Sequence, residues 1–410
     1  MLNHAREQAG AVLGYLRLSP ALIEAAPAGS LRRQSETVEE IFIVATSDYP
    51  KLVIDHFLGL PTLARTIELT ETRCVASLAA GIKIALEVVP PEEFVATLHS
   101  RTGAPDHIAK LEKLARSKGV DLGSTEARST GKGFKNENEI YQALGLQYIP
   151  PEQREDQGEI EAAIAGNLPH PLELQDVRGM THCHTVYSDG RNTIEEMALA
   201  AEALGMRYLT ITDHSPSAYY ARGVSIDRLR AQWDEIARVQ ERVKIKLLRG
   251  TESDILEDGS LDYPDHYLAQ FDIVIASVHS RHKMNADQMT ERLLRALKLP
   301  VFKIWGHPLG RLIQSRPPLV CRMEEVLDAV AVSRCAIEVN GDPRRLDLEP
   351  QWIRTARERG IKFIVSTDAH STGALNYLSY GVVTARRGWL TRDEVLNTLD
   401  SEPFMKAVRP

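Results

Sequence analysis

The segment THCHTVYSDG, Thr181 to Gly190, decides how this chain is read. On a strand running into a loop, alternation sends His182 and His184 to the same side, and Asp189 lies close enough along the chain to fold back toward them. Two imidazoles and a carboxylate so placed can grip a cation. A lone His-x-His is also what an ordinary strand end carries, so the reading depends on what the remaining sequence adds.

Working outward from this segment, the chain alternates short apolar runs with amphipathic stretches. After VRGMTHCH come YLTIT, IKLLRG, DIVIASV, VFKIW, AIEVN and KFIVST. Between them lie helical patterns such as TIEEMALAAEALG, which opens with the capping-box spacing Thr193-x-x-Glu196, and SIDRLRAQWDEIARVQERV. Strand, helix, strand, helix means parallel β-structure with helices outside. Seven such strands in about 240 residues favour a closed barrel over an open sheet.

The carboxyl end of each run carries chemistry. Asp213-His214 follows YLTIT, Thr251-Glu252 follows IKLLRG, His279 follows IVIASV, His307 follows FKIWG, and Asp368 and His370 follow FIVST. With His182, His184 and Asp189, nine candidate ligands gather at the end of the strands where parallel α/β folds build their sites. Imidazoles mixed with carboxylates suit Zn²⁺, Mn²⁺ or Fe²⁺, whereas Mg²⁺ wants oxygen ligands and a structural zinc site stops at four, usually with cysteines. Nine ligands suffice for two or three divalent ions. Glu252 or Asp368 can bridge two ions because a carboxylate has two oxygens to share, and with His214 they are the expected catalytic residues.

Composition sets the outer bounds. A chain of 410 residues is long for one core and fits two domains. The clearest break is EAAIAGNLPHPLELQ, rich in proline, glycine and asparagine, which places the boundary between 1–165 and 166–410. No apolar run is long enough to span a membrane, and AGAVLGYL lacks the basic flank and cleavage pattern of a leader. The four cysteines form no Cys-x-x-Cys pair, which suits a reducing compartment, so a cytoplasmic protein is expected. A net charge of −7 means that any contact with a nucleic-acid backbone rests on a local basic patch or on bound cations.

In this order, HCHTVYSDG, TDH, GTE, SVH, GHP and TDAH resemble the PHP (polymerase and histidinol phosphatase) phosphoesterase domain. The resemblance spans about residues 175–405 and implies a distorted seven-stranded (β/α)7 barrel around a trinuclear metal site. Carried over position by position, it implies His182, His184, Asp189, His214, Glu252, His279, His307, Asp368 and His370 as ligands. GHPLGRL, IEVNGDPRRLDL and GVVTARRGWL are similar to the PHP domains at the carboxyl end of bacterial family-X DNA polymerases. Those domains are associated with Mn²⁺-dependent 3′–5′ exonuclease and 3′-end phosphoesterase activity. Arg222, His282 and Arg344, with Arg281 and Lys283, lie in loops expected to surround the metals and are candidates for substrate phosphate.

Upstream, AGSLRRQSETVEEIFIVAT, AAGIKIALEVVPPEEF and EIYQALGLQYIPPEQREDQGEIEAA are similar to the palm and thumb of a family-X polymerase, an α+β domain. Polymerisation needs two carboxylates at i and i+2 on one strand and a third across the sheet to hold two Mg²⁺ ions. The matching positions here are Glu40, Phe42 and Ala85, and the aromatic pair expected near the incoming sugar is Ser100-Arg101. With Gly29-Ser30 so near Met1, the helix-hairpin-helix domain that precedes the palm in that family is expected to be missing. The first domain is therefore expected to be inactive in synthesis, with Gly29, Ser30, Arg32 and Arg33 either holding a phosphate or forming a solvated loop. Three functions follow for the whole chain: a metal-dependent phosphoesterase acting on DNA 3′ ends, a small-molecule phosphomonoesterase of the histidinol-phosphate kind, or a non-catalytic DNA- or protein-binding module.

Overall fold

The computed structural model describes residues 1–122, 133–301, 304–333 and 335–408, and the chain divides into two compact units, Met1–Leu168 and Pro169–Pro410. Among the described residues, no helix is long and apolar enough to cross a membrane.

The first unit is α+β. Its sheet contains β1 (Glu24–Ala28), β2 (Glu40–Thr46), β3 (Leu63–Leu69), β4 (Arg73–Leu78) and β5 (Lys83–Val89), in the order β1-β2-β5-β4-β3. Only β2 and β5 run parallel; the other neighbours are antiparallel. Strand β2 alternates as its period requires: Ile41, Ile43 and Ala45 are buried in the core while Glu40 and Phe42 are half-buried on the other face. The helix Pro105–Lys118 shows why it starts and stops where it does, with proline in its first turn and Gly119 at φ 66° past its end. Leu111 and Ala115 of that helix pack with Tyr141, Leu144, Ile149 and Ile160 in a small core of their own.

The second unit is the parallel barrel. Its strands are β6 (Gly179–Met180), β7 (Tyr208–Ile211), β8 (Lys246–Asp254), β9 (Ile273–Ser277), β10 (Ile304–Trp305), β11 (Ala336–Asn340) and β12 (Phe363–Ser366). They follow one another in the order β12-β11-β10-β9-β8-β7-β6, every pair parallel. Phe302 and Lys303 of the expected VFKIW strand lie outside the described residues. The seam between first and last strands closes in two ways. Just beyond the carboxyl ends, the His184 N–H donates to the Ala369 carbonyl (2.8 Å) and the Ala369 N–H to the His182 carbonyl (3.2 Å). Lower down, Asn397 fills the gap: its amide donates to the carbonyls of Gly179 (2.9 Å) and Val365 (2.8 Å) and accepts from the Val365 N–H (2.9 Å).

The strands sort their side chains by height. Near the amino ends Tyr208, Leu248, Ile273, Ile304, Ala336 and Ile364 form an apolar layer with Phe404 and Val408 of the helix Ser401–Val408. Two or four residues further along the same strand faces stand Thr210, Glu252, Ser277, Glu338 and Ser366, buried and polar. The capping box expected at Thr193 forms: its hydroxyl accepts from the Glu196 N–H (3.2 Å), and the Glu196 carboxylate accepts from the Thr193 N–H (2.8 Å).

Candidate metal centre

The loop that follows β6 answers what the opening segment does. Its residues are pinned by Asp213, a buried carboxylate that accepts from the Thr185 N–H (2.7 Å), the Thr185 hydroxyl (2.6 Å), the Ser188 hydroxyl (2.5 Å) and the Gln232 amide (2.7 Å). Gly190 is required because a Cβ there would lie 2.4 Å from the His184 carbonyl oxygen, which is backbone and cannot step aside. So folded, the loop returns Asp189 to within 3.6 Å of His214 and 3.3 Å of His370.

All nine sequence-predicted ligands converge. Glu252, fully buried, is the hub: one carboxylate oxygen lies 2.8 Å from His307 Nε2 and 3.1 Å from His279 Nε2. The other lies 3.0 Å from His214 Nδ1, 3.4 Å from His182 Nε2 and 3.5 Å from His184 Nε2. Asp368 approaches His184 Nε2 at 3.1 Å and His182 Nε2 at 3.5 Å. Among the described residues, eight of the nine fall into three overlapping groups, each compact enough for one cation: His184, Asp189, His214 and His370; His182, His184, Glu252 and Asp368; and His214, Glu252 and His279, while His307 joins the cluster through Glu252 and His279. Two of these candidate ligands, His307 at φ 24° and Asp368 at φ 50°, adopt backbone conformations unfavourable for side chains other than glycine, as residues held at functional sites often do.

The donor set fits a metal on its own chemistry. His182 Nε2, His214 Nδ1, His307 Nδ1 and Glu252 Oε2 are all buried without a hydrogen-bond partner, a costly state for Lewis bases unless a cation satisfies them. The protonation pattern agrees. Burial would raise the Glu252 carboxyl, yet the imidazoles of His279, His182 and His214 hold it well below the usual carboxylate range. Burial opposes charge on His279 and His370 too, but Glu252 with Asp254 lifts the first to about 10, and Asp189 with Asp368 lifts the second to about 9. His184, deeply buried and beside His370 and His214, goes the other way, to about 3. Protons on some imidazoles thus balance the acids, and bound cations would take their place.

Supporting groups were less visible in the sequence. Glu338, fully buried, accepts from His182 Nδ1 (2.6 Å) and the His307 N–H (2.5 Å), and the Ser366 hydroxyl also donates to it. Asp254 accepts from His279 Nδ1 and from the Ser217 hydroxyl (2.9 Å). Such partners fix the tautomer and direction of a metal-binding imidazole. Both left a signal: Glu338 interrupts the apolar run AIEVN, and Asp254 stands two residues after Glu252 on the same strand face.

The expected substrate residues fare unevenly. Arg344 is 66% exposed and chelates Asp342 at 2.7–3.2 Å, so the placement expected for it passes to its neighbour. Arg345 donates through Nε to Asp368 (3.1 Å), and its buried Nη1 lacks a hydrogen-bond partner. His282 donates its Nε2–H to the His279 carbonyl (3.2 Å), and burial together with Arg316 brings it down to about 4. Arg222 is exposed at φ 56°, and Arg281 pairs with Glu257 at 3.1 Å on the surface.

In the first unit, Phe42 and Ala85 are direct partners across β2 and β5, and Glu40 pairs with Lys83 at 2.8 Å. The Arg101 guanidinium lies over the Phe42 ring, 5.5 Å from its centre, and is held by both oxygens of Glu87 (2.9 and 3.1 Å). Arg32 and Arg33 form neither a phosphate cradle nor a solvated loop. Arg32 is bidentate to Glu137 (2.8 and 2.7 Å), and Arg33 pairs with Glu155 (3.0 Å).

A parallel barrel with this donor set at its carboxyl end defines a PHP-type phosphoesterase domain, and comparison with known proteins agrees: the PHP domain family matches residues 181–341 and the DNA polymerase beta thumb family residues 97–155. The chain is 36% identical to the DNA polymerase/3′-5′ exonuclease PolX of Bacillus subtilis, over 94% of this chain and 69% of that protein. It is 29% identical to a probable phosphatase of Thermoanaerobacter sp. over 53% of this chain and 89% of the other. A probable phosphatase of Caldanaerobacter subterraneus is 30% identical over 46% and 75%. The chain belongs to the PolX family, the bacterial family-X polymerases and exonucleases that carry a PHP domain.

Proposed function

We propose that the protein hydrolyses phosphate esters at DNA 3′ ends with two or three divalent ions, Mn²⁺, Zn²⁺ or Fe²⁺, held by the nine residues above, and that its first unit does not synthesise DNA. The observation that carries this reading is the single buried cluster in which Glu252 faces five imidazoles with its two oxygens. Bound ions would supply a more acidic water and positive charge for the phosphoryl oxygens. The chain's own residues do the positioning. Glu252 presents its oxygens to two of the three ligand groups, as a bridging carboxylate would, and Asp368 presents its own to one. Glu338 and Asp254 hold His182 and His279 in place, and Arg345, already against Asp368, offers its free Nη1 to a phosphate oxygen.

The reading of the first unit rests on the face that would hold two Mg²⁺ ions. An aromatic ring and a methyl group occupy two of the three carboxylate positions, Lys83 neutralises the third, and Arg101 brings a positive charge over the ring. Similarity to a thumb supports a remaining role in holding DNA.

The test is to incubate the metal-loaded chain with labelled single-stranded and 3′-recessed DNA beside a panel of small phosphate esters, and separately with primer, template and nucleotides. Shortening from the 3′ end without primer extension is the expected outcome. Phosphate release from small esters alone would favour the phosphomonoesterase that the probable-phosphatase relatives suggest. Silence on both would leave a binding module.

A further inference from the structure

The turn between the ligand His214 and Val224 carries two tyrosines that the metal chemistry does not use. Tyr219 is 86% and Tyr220 69% exposed, on a short 3-10 turn followed by the exposed Arg222. Exposed aromatic rings are common singly, but these belong to a turn fastened to the metal centre at both ends. The Ser215 N–H donates to the Glu252 carbonyl (3.0 Å), and the Val224 N–H donates to the His214 carbonyl (2.8 Å). Ser217 donates its hydroxyl to Asp254, the carboxylate that orients His279, and its N–H to Asp262 (2.6 Å). Gly223 passes so close to the Ser215 carbonyl oxygen that a Cβ would meet it at 2.0 Å. The turn therefore has little freedom relative to His214 and His279.

From that base Tyr220 leans edge-on over both ligands. Its ring centre is 6.2 Å from that of His214, at 61°, and 6.4 Å from that of His279, at 71°. Around the rest of the centre the groups are charged: Asp189, Glu252, Asp368 and Arg345. A phosphate ester bound at the centre would have these exposed rings beside it. We propose that the Tyr219–Tyr220 turn is a base-stacking subsite for the nucleotide whose phosphate is cut, with Arg222 placed for the next phosphate along the strand. This rests on the DNA-end reading above and adds to it which part of the substrate is recognised. Stacking on an aromatic face accepts any of the four bases, which suits a nuclease acting without sequence preference.

The test uses the Mn²⁺-loaded full chain and two matched single-stranded oligonucleotides, one with an ordinary 3′-terminal nucleotide and one with an abasic residue at that end. Wild type is expected to prefer the base-bearing end in kcat/KM. Tyr220→Ala is expected to reduce that preference about tenfold, while Tyr220→Phe, which keeps the ring, retains it. Tryptophan fluorescence reports folding of the barrel, since all four tryptophans lie in it. An unchanged preference in Tyr220→Ala overturns the proposal, as does a wild type that does not distinguish the two ends, and either result leaves the DNA-end reading standing. If wild type cuts neither oligonucleotide but hydrolyses glycerol phosphate, the DNA-end reading falls and the stacking subsite falls with it.

Discussion

Both units bury charged side chains, and they treat them differently. In the first unit every buried charge we describe is answered by protein: Glu137 takes bidentate contacts from Arg154 and Arg32, and His107 meets Glu159 at 2.5 Å. In the second unit imidazoles and carboxylates crowd together with several donor atoms left without hydrogen bonds. Closed ion pairs hold a fold together, whereas an assembly of unsatisfied Lewis bases could hold a cation. The same contrast holds on the two sheets: the facing pair Phe42 and Ala85 is apolar, while Glu252 and Asp368 are buried acids set among imidazoles.

The largest expected effect lies at the open cluster. His184→Ala should bring hydrolysis down to the level of the metal-stripped protein, and chelation of wild type should do the same; an assay with and without added Mn²⁺ checks both. Full turnover in His184→Ala would erase the distinction between the units.

Next comes the closed network. Burial alone would raise the Glu137 carboxyl from its ordinary 4.5, but the guanidinium groups of Arg154 and Arg32 outweigh it and bring it to about 2. A carboxyl lowered in this way stabilises the fold above its unfolded pKa, and that stability is lost as pH falls from about 4.5 toward 2. Glu137→Gln should cost about 3 kcal/mol near neutral pH and weaken the acid dependence in that window. Urea unfolding followed by circular dichroism measures it, with tryptophan fluorescence and hydrolysis unchanged.

A supporting group should have an intermediate effect. Glu338→Gln is expected to weaken metal affinity by about 10- to 100-fold, read by competition with a chelating dye, since it disturbs the orientation of His182 rather than removing a ligand. The smallest pair separates adjacent arginines. Arg345→Ala should lower kcat/KM about tenfold, whereas Arg344→Ala, whose guanidinium is spent on Asp342 at the surface, should change it by less than about twofold.

Much of the second unit was legible because its chemistry sits at strand ends, where alternation and fold class together say which way a residue faces. The capping box at Thr193 and the order of the ligands needed nothing more than local spacing. Glu338 and Asp254 were harder, since their roles depend on which strand lies beside them, and strand adjacency is not written in any one segment. Arg345 left no signal of its own for the same reason: neighbours in sequence point apart, and only the turn after β11 decides that Arg345 and not Arg344 reaches Asp368. Arg32 and Arg33 looked available because their partners, Glu137 and Glu155, lie over a hundred residues away. Closure of the barrel through Asn397 left no sequence signal, because an asparagine that bridges two strands reads as an ordinary loop residue.

The most direct measurement is the number of metal ions per chain, by elemental analysis of the folded protein, in wild type and Glu252→Gln. We expect two or three ions in wild type and a reduced number in the variant, with the tryptophan signal of a folded barrel in both. A hydrolytically active wild type carrying no ions, or a folded Glu252→Gln with the full complement, would contradict the account.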